Sequence, residues 1–108
     1  MTIQKPWQAL SQAQTPAKMG VFELGDETGD VLFVSYAGGR STHGLQGAVA
    51  TASQVCQQAT QLRFEVTTAY LSRYRELMMW HVARSGVAPE TDKNDSYGRL
   101  SPGGTPTL

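Results

Sequence analysis

The sequence is poor in several residue types that many functional sites require, beginning with cysteine. Cys56 is the only cysteine in 108 residues, which excludes an intrachain disulfide and a zinc site built from several cysteines. A single thiol suits a reducing compartment, so we expect a cytoplasmic protein. No run approaches the roughly 20 apolar residues that span a bilayer, and the beginning of the chain lacks the apolar core of a secretory signal. The sequence therefore predicts a soluble protein without a membrane segment.

Charge is also scarce, and neither sign dominates. Charged residues make up 17% of the chain, and 9 Lys and Arg balance 9 Asp and Glu. No global positive field draws the protein to nucleic acid or to an anionic membrane, so any such binding must be local. The hydrophobic fraction of 40% is sufficient for a core, and the length suits one domain rather than two.

Composition divides the chain into three segments. Residues 1–18 are polar and rich in glutamine, and they are expected to form an N-terminal arm that Trp7 and Leu10 pin to the body. Residues 19–89 are expected to form the folded domain. Residues 90–108 are rich in glycine, proline and polar residues and bury almost nothing, so they are predicted to be a disordered tail.

The first half of the domain predicts a hairpin and a helix. Two apolar runs, residues 20–24 and 31–37, surround a turn rich in glycine and aspartate, which is typical of a hairpin. Apolar residues at spacings of three and four across residues 45–59 then predict an amphipathic helix. Ser41 or Thr42 is expected to cap its start.

The second half predicts one more strand and one more helix. Leu62, Phe64 and Val66 alternate with charged residues, as in a strand with one buried face. A helix is expected from about residue 68 to 85, ending at Gly86. The predicted fold class is therefore α+β, with a small three-stranded, largely antiparallel sheet and two packed helices in the order ββαβα.

The second helix is apolar on two sides. Opposite its core face lie Met79, Trp80 and Ala83, with Glu76 as the only acid. Such a helix is either sandwiched within the fold or meets a partner, so these three apolar residues are the predicted surface for a partner or a homo-oligomer. A carboxylate in partly apolar surroundings needs a cation. An intrahelical pair with Arg73 and a metal site at Glu76 both satisfy that need.

Three other features of the domain are assigned no catalytic role. His81 shares the core face with Tyr74, which favours a hydrogen-bonded core histidine over a catalytic one. Cys56 is centred on the apolar stripe of the first helix and is expected to be a small core residue. The Gly38-Gly39 pair lies between a strand and a helix, but no Lys-Ser or Lys-Thr follows it, so a nucleotide-binding loop is not predicted.

The order of elements and several short motifs resemble the GIY-YIG nuclease superfamily. Residues 20–22, Gly-Val-Phe, look like its first motif, and residues 33–35, Phe-Val-Ser, look like its second. Arg40 and His43 fall where the family places its catalytic arginine and, in some branches, a nearby histidine. Glu76 falls where the family carries its metal-binding glutamate.

The resemblance covers residues 19–89 and implies a GIY-YIG-like fold with a phosphodiesterase site. It implies that Glu76 holds one divalent metal, Mg²⁺ or Mn²⁺, that Arg40 contacts the phosphate, and that His43 assists. DNA is the implied partner. The chemistry is that of metal-assisted hydrolysis, in which a cation offsets the charge that develops on the phosphate.

The motifs depart from the family where its tyrosines should be. Phe22 and Phe33 replace both tyrosines, and a phenyl ring has no hydroxyl to position a nucleophile. Ser35 replaces the glycine of the second motif. Tyr36 points to the opposite side of the strand and can substitute for a lost hydroxyl only if the strand bulges. We therefore expect a nucleic-acid-linked domain with weak or vestigial metal-dependent cleavage, or, as the alternative, a non-catalytic interaction module on the same scaffold.

Overall fold

Six elements of secondary structure are arranged around one antiparallel sheet. A computed structural model of the chain describes residues 2–39 and 41–93. The elements are β1 (Gln8–Ala9), β2 (Gly20–Gly25), β3 (Val31–Ala37), α1 (Gly44–Val55), β4 (Gln61–Val66) and α2 (Tyr70–Ser85). Neither helix combines the length and the hydropathy needed to cross a membrane.

The sheet has the strand order β1-β4-β2-β3, and all its pairings are antiparallel. The predicted hairpin is β2 with β3, and the predicted third strand is β4, which pairs with β2 from Gly20 opposite Val66 to Gly25 opposite Gln61. These three strands confirm the α+β prediction. The sheet nevertheless has four strands rather than three, because β1 of the N-terminal arm adds to the edge of β4. A two-residue strand is too short to show an alternating pattern.

The two helices cover opposite faces of the sheet. Successive side chains of β2 alternate, so that Phe22 and Leu24 face α1, whereas Val21 and Glu23 face α2. We call these sides the α1 face and the α2 face. Buried residues of α1 complete the core on the α1 face, namely Leu45, Val49 and Ala52. Buried residues of α2 do the same on the α2 face, namely Tyr74, Leu77 and Met78.

The N-terminal arm is part of this core. Ile3 is 1% exposed and packs with the buried residues of the α2 face. Trp7 lies against Gly25, and the guanidinium of Arg63 stacks 4.1 Å from the centre of the Trp7 ring. The arm therefore crosses the α2 face before it pairs with β4.

The two ends of the sheet differ in what they carry. β3 and β4 both finish beside Gly20, so both helices begin there, next to the loop of residues 38–43. We call this the loop end. The opposite end, which we call the hairpin end, carries the β2–β3 turn and the C-terminal end of α2.

The start of α1 differs from the prediction. His43 is the N-cap, in the left-handed region at φ 65, and neither Ser41 nor Thr42 caps the helix. The backbone N–H of Leu45 donates instead to the carbonyl of Lys18 at 2.9 Å. The prediction of a side-chain cap was wrong because a distant backbone segment supplies the acceptors.

The chain beyond α2 continues along the outer edge of β3. The N–H of Val34 donates to the carbonyl of Glu90 at 2.9 Å, and the N–H of Glu90 donates to the carbonyl of Leu32 at 3.2 Å. The first residues of the predicted tail therefore lie beside β3. Residues 94–108 of that tail lie outside the described residues.

Candidate functional site

Three of the four residues predicted to form the site are described, and two of them, Tyr36 and His43, line adjoining grooves at the loop end. Arg40 lies outside the described residues. His43 is exposed at the loop end. Tyr36 is half-buried on the α2 face of β3. Glu76 is on α2 with its side chain 53% exposed.

Tyr36 forms one wall of a groove at the loop end. Its ring centre lies 5.4 Å from that of Tyr70 and 5.1 Å from that of Tyr74. The groove has a volume of ≈ 570 Å³. It is lined by Tyr36, Gly38, Gly39, Ser41, Tyr70 and Leu71. A Cβ on Gly38 would come 3.0 Å from the Tyr70 ring, so glycine lets the loop pack directly on that ring. We call this the tyrosine groove.

His43 lines a second groove that adjoins the first. The two grooves share Gly38, Gly39 and Ser41, and Lys18 lies in the second one. Among the described residues that line these grooves there is no aspartate or glutamate. The first turn of α2 carries no acid and no side-chain cap, so the positive end of its dipole faces the loop end without neutralisation. The loop end therefore combines Lys18 and an uncapped helix N-terminus with grooves whose described lining residues include no acid.

Glu76 is engaged by an arginine. Its Oε1 lies 3.1 Å from Nη1 of Arg73, which is the intrahelical pair that the sequence offered as one alternative. Arg73 also binds Glu65 at 3.2 Å. Glu76 lines neither groove. No cluster of three or more His, Cys, Asp or Glu that suits a metal occurs within residues 2–39 and 41–93.

The two motif phenylalanines lie on the other side of the sheet. Phe22 and Phe33 are 0% and 1% exposed on the α1 face, with ring centres 6.3 Å apart. The β2–β3 register shifts only near Gly25, so Tyr36 stays regularly paired with Val21. The strand therefore does not bulge in a way that brings the Tyr36 hydroxyl to the α1 face. The rings of Phe22 and Phe33 therefore lie between the sheet and α1, whereas Glu76 is on α2, on the opposite side of the sheet.

A buried charge cluster that the sequence did not predict lies on the α2 face. Glu23 is fully buried, and Arg63 Nε donates to its Oε1 at 2.6 Å. The Nε2 of His81 lies 2.6 Å from Oε2 of the same carboxylate. Thr2 adds its hydroxyl at 3.0 Å. The cluster thus joins β2, β4, α2 and the N-terminal arm.

Hydrogen bonding keeps Glu23 ionised. Burial alone would raise the pKa of this carboxyl, but the hydrogen bonds from His81 and Arg63 outweigh burial, and the pKa lies below its ordinary value of 4.5. An ionised carboxylate only accepts hydrogen bonds, so the Nε2 of His81 carries the proton. His81 is 8% exposed. It is a hydrogen-bonded core histidine, as the sequence suggested, and its partner is an acid.

The signal that could have located this cluster was weak. Glu23 is a charged residue in the middle of an apolar strand, and Arg63 lies directly opposite it in the β2–β4 register. A single sequence does not give that register, because β3 and α1 lie between β2 and β4 in the chain. His81 adds no signal of its own, since core histidines are common.

The cluster borders a cleft at the hairpin end. This cleft has a volume of ≈ 780 Å³, and its charged walls are Arg63, Arg84, Asp30 and Glu90. The charge of Arg63 is already balanced by Glu23. The cleft therefore has no surplus positive charge, which distinguishes it from the loop end.

Of the three residues predicted to form a partner surface on α2, two are exposed and one is half-buried. Met79 is 61% exposed and Ala83 is exposed. Trp80 is half-buried, with its ring centre 5.0 Å from that of His81 and with Arg84 stacked 4.8 Å away. These contacts hold Trp80 against the rest of the fold. Met79 is therefore the large apolar side chain of the predicted surface that stays mostly exposed.

Comparison with known proteins places the chain in a family. It belongs to the family described as a domain of unknown function, DUF7508, which matches residues 1–84. The match includes the N-terminal arm, both faces of the sheet and nearly all of α2. No curated protein and no solved structure matches the chain.

Replacing Glu23 with glutamine should destabilise the fold and change its response to acid. The substitution leaves the Arg63 charge without its carboxylate, at a cost of about 3 kcal/mol in the free energy of unfolding near neutral pH. Because the folded pKa of Glu23 lies below 4.5, its stabilisation is fully present above that pH and is lost as pH falls through the folded pKa. Urea unfolding at a series of pH values measures both effects.

The matched control is Glu27→Gln, which removes an exposed carboxylate from the hairpin turn. It should change the free energy of unfolding by less than about 0.5 kcal/mol. Equal stability of the Glu23 and Glu27 variants would contradict a structural role for the cluster.

Proposed function

We propose that this protein is a nucleic-acid-binding domain of GIY-YIG-like fold whose cleavage site is vestigial. The observation that carries the proposal is the composition of the loop end. The Gly38-Gly39 loop, the tyrosine groove and the second groove, which His43 lines, adjoin there. The described residues that line these grooves include Lys18 and no acid. The order of β2, β3, α1, β4 and α2, with β2 paired to β3, supports the resemblance to the superfamily.

The loop end suits both parts of a nucleotide. Lys18 and the uncapped first turn of α2 favour phosphate, because both place positive charge at the same end of the sheet. Tyr36 and Tyr70 line the adjoining groove with aromatic rings, on which a nucleobase can stack. Arg40 belongs to the same loop in the sequence and would add a second cation.

The same arrangement argues against cleavage. Phe22 and Phe33 have no hydroxyl, and their rings are buried beneath α1. Glu76 is paired with Arg73 in the other layer. An active phosphodiesterase of this type needs its metal ligand and its nucleophile-positioning groups around one phosphate. The chain therefore retains a surface for phosphate without the groups that would cut it.

Removal of the Lys18 charge should weaken binding of a short single-stranded oligonucleotide. Lys18→Gln deletes one phosphate contact, so the slope of log affinity against log salt should become smaller by about 0.7. Fluorescence anisotropy over a salt series measures both the affinity and the slope. The control is Lys5→Gln, an exposed lysine of the N-terminal arm that lines neither groove. If the two substitutions reduce affinity equally, binding is not located at the loop end.

Plasmid DNA should remain uncut by the wild-type protein in the presence of Mg²⁺ or Mn²⁺. Phe22→Tyr with Phe33→Tyr should not restore nicking, because the new hydroxyls would enter the core of the α1 face rather than a site near Glu76. Gel analysis of supercoiled plasmid measures the outcome. Robust metal-dependent nicking by the wild type that disappears in Glu76→Ala would contradict the vestigial site.

A further inference from the structure

The segment that follows α2 lies along the outer edge of β3. After the left-handed Gly86 at φ 81, residues 87–93 run beside β3 and form a parallel bridge at Glu90 and Phe33. Two backbone hydrogen bonds hold this bridge, through the N–H of Val34 and the N–H of Glu90. We call residues 87–93 the strap. It lies outside the residues that match the family.

Side chains of the strap form hydrogen bonds with β3 and with α2. Asp92 accepts a hydrogen bond from the buried hydroxyl of Ser35 at 2.5 Å. The hydroxyl of Tyr74 donates to Thr91 at 3.1 Å. The strap is therefore latched beside the strand that carries Tyr36.

The last described residue of the strap covers Tyr36 itself. The Nζ of Lys93 lies 4.4 Å from the centre of the Tyr36 ring, within the range of a cation–π contact. Tyr70 and Tyr74 already pack on the same ring. Lys93 thus takes up ring surface of a side chain that lines the tyrosine groove.

Among the described residues, the strap is held by one bridge, two side-chain hydrogen bonds, one cation–π contact and the packing of Ala88 against the buried residues of the α2 face. Val87 is 70% exposed, and a Cβ on Gly86 would meet nothing within 4 Å, so the connection to α2 is not packed against the body. Stacking of a base on an aromatic ring is stronger than a solvent-exposed cation–π contact.

We propose that Lys93 makes the strap an autoinhibitory cover of the Tyr36 ring, beside the tyrosine groove, which single-stranded nucleic acid displaces when a base stacks on that ring. The inference rests on the proposed function and adds its regulation. Displacement exchanges the Lys93 contact for a stacked base and frees the bridge at Glu90. Binding and strap release are therefore linked, so that loosening the strap tightens binding.

The direct test is Lys93→Gln in the full chain, with a short single-stranded oligonucleotide as the probe. Loss of a positive charge normally weakens binding to nucleic acid. Loss of the cover should instead tighten it, by about two- to fivefold, which corresponds to one exposed cation–π contact. Lys5→Gln is the charge-matched control and should bind no more tightly than the wild type. A weaker Lys93→Gln complex would show that Lys93 is a phosphate ligand and would overturn the cover.

Hydrogen exchange gives a second readout that does not depend on affinity. The Val34 amide donates to the strap, so its exchange rate reports release of the bridge. Saturating oligonucleotide should accelerate this exchange in the wild type, and Asp92→Ala should accelerate it without oligonucleotide. Binding with unchanged Val34 exchange would overturn the cover and leave the proposed function standing. Absence of binding by the wild type and by both strap variants would overturn the two together.

Discussion

The buried carboxylate of Glu23 is the interaction on which the arrangement of the layers depends. It lies on the central strand and receives hydrogen bonds from Arg63 of β4, His81 of α2 and Thr2 of the arm. A carboxylate without partners in this position would cost several kcal/mol, which is a large part of the net stability of a small domain. The requirement to satisfy Glu23 therefore holds α2 and the arm on one face of the sheet.

Fixing α2 in this way also fixes what lies at the loop end. With its C-terminal half held through His81, the helix places Tyr70 and Tyr74 against Tyr36. Its first turn then meets the Gly38-Gly39 loop, where the N–H of Gly39 contacts the hydroxyl of Tyr70 at 3.4 Å. Helix α2 therefore connects the Glu23 charge cluster to the grooves at the loop end. The described residues that line those grooves include Lys18 and no aspartate or glutamate.

The parts of the fold that the sequence predicted are those specified by local patterns. The hairpin, β4 and the end of α2 at Gly86 follow from alternation, helical spacing and a left-handed glycine, all of which act within a few residues. The parts that it did not predict depend on contacts between distant segments. The cap of α1 uses the carbonyl of Lys18, and the Glu23 cluster uses the β2–β4 register.

The same distinction between local patterns and contacts of distant segments applies to the candidate site. The resemblance drew attention to Tyr36 and His43, and both line grooves at the loop end. It also drew attention to Glu76, but the pairing of that carboxylate with Arg73 and the burial of Phe22 and Phe33 on the other face depend on which layer each element joins. Periodicity along a chain identifies a buried face but does not state which helix covers it.

Backbone amide chemical shifts during titration with a single-stranded oligonucleotide test whether the loop end binds nucleic acid. We expect the largest changes at the loop end, in Gly38, Gly39, Ser41, Tyr70 and Leu71, with a smaller response along β3 where the strap lies. Changes concentrated instead around Arg84 and Asp30 of the hairpin-end cleft would contradict it. A spectrum that does not change at saturating oligonucleotide would contradict it as well.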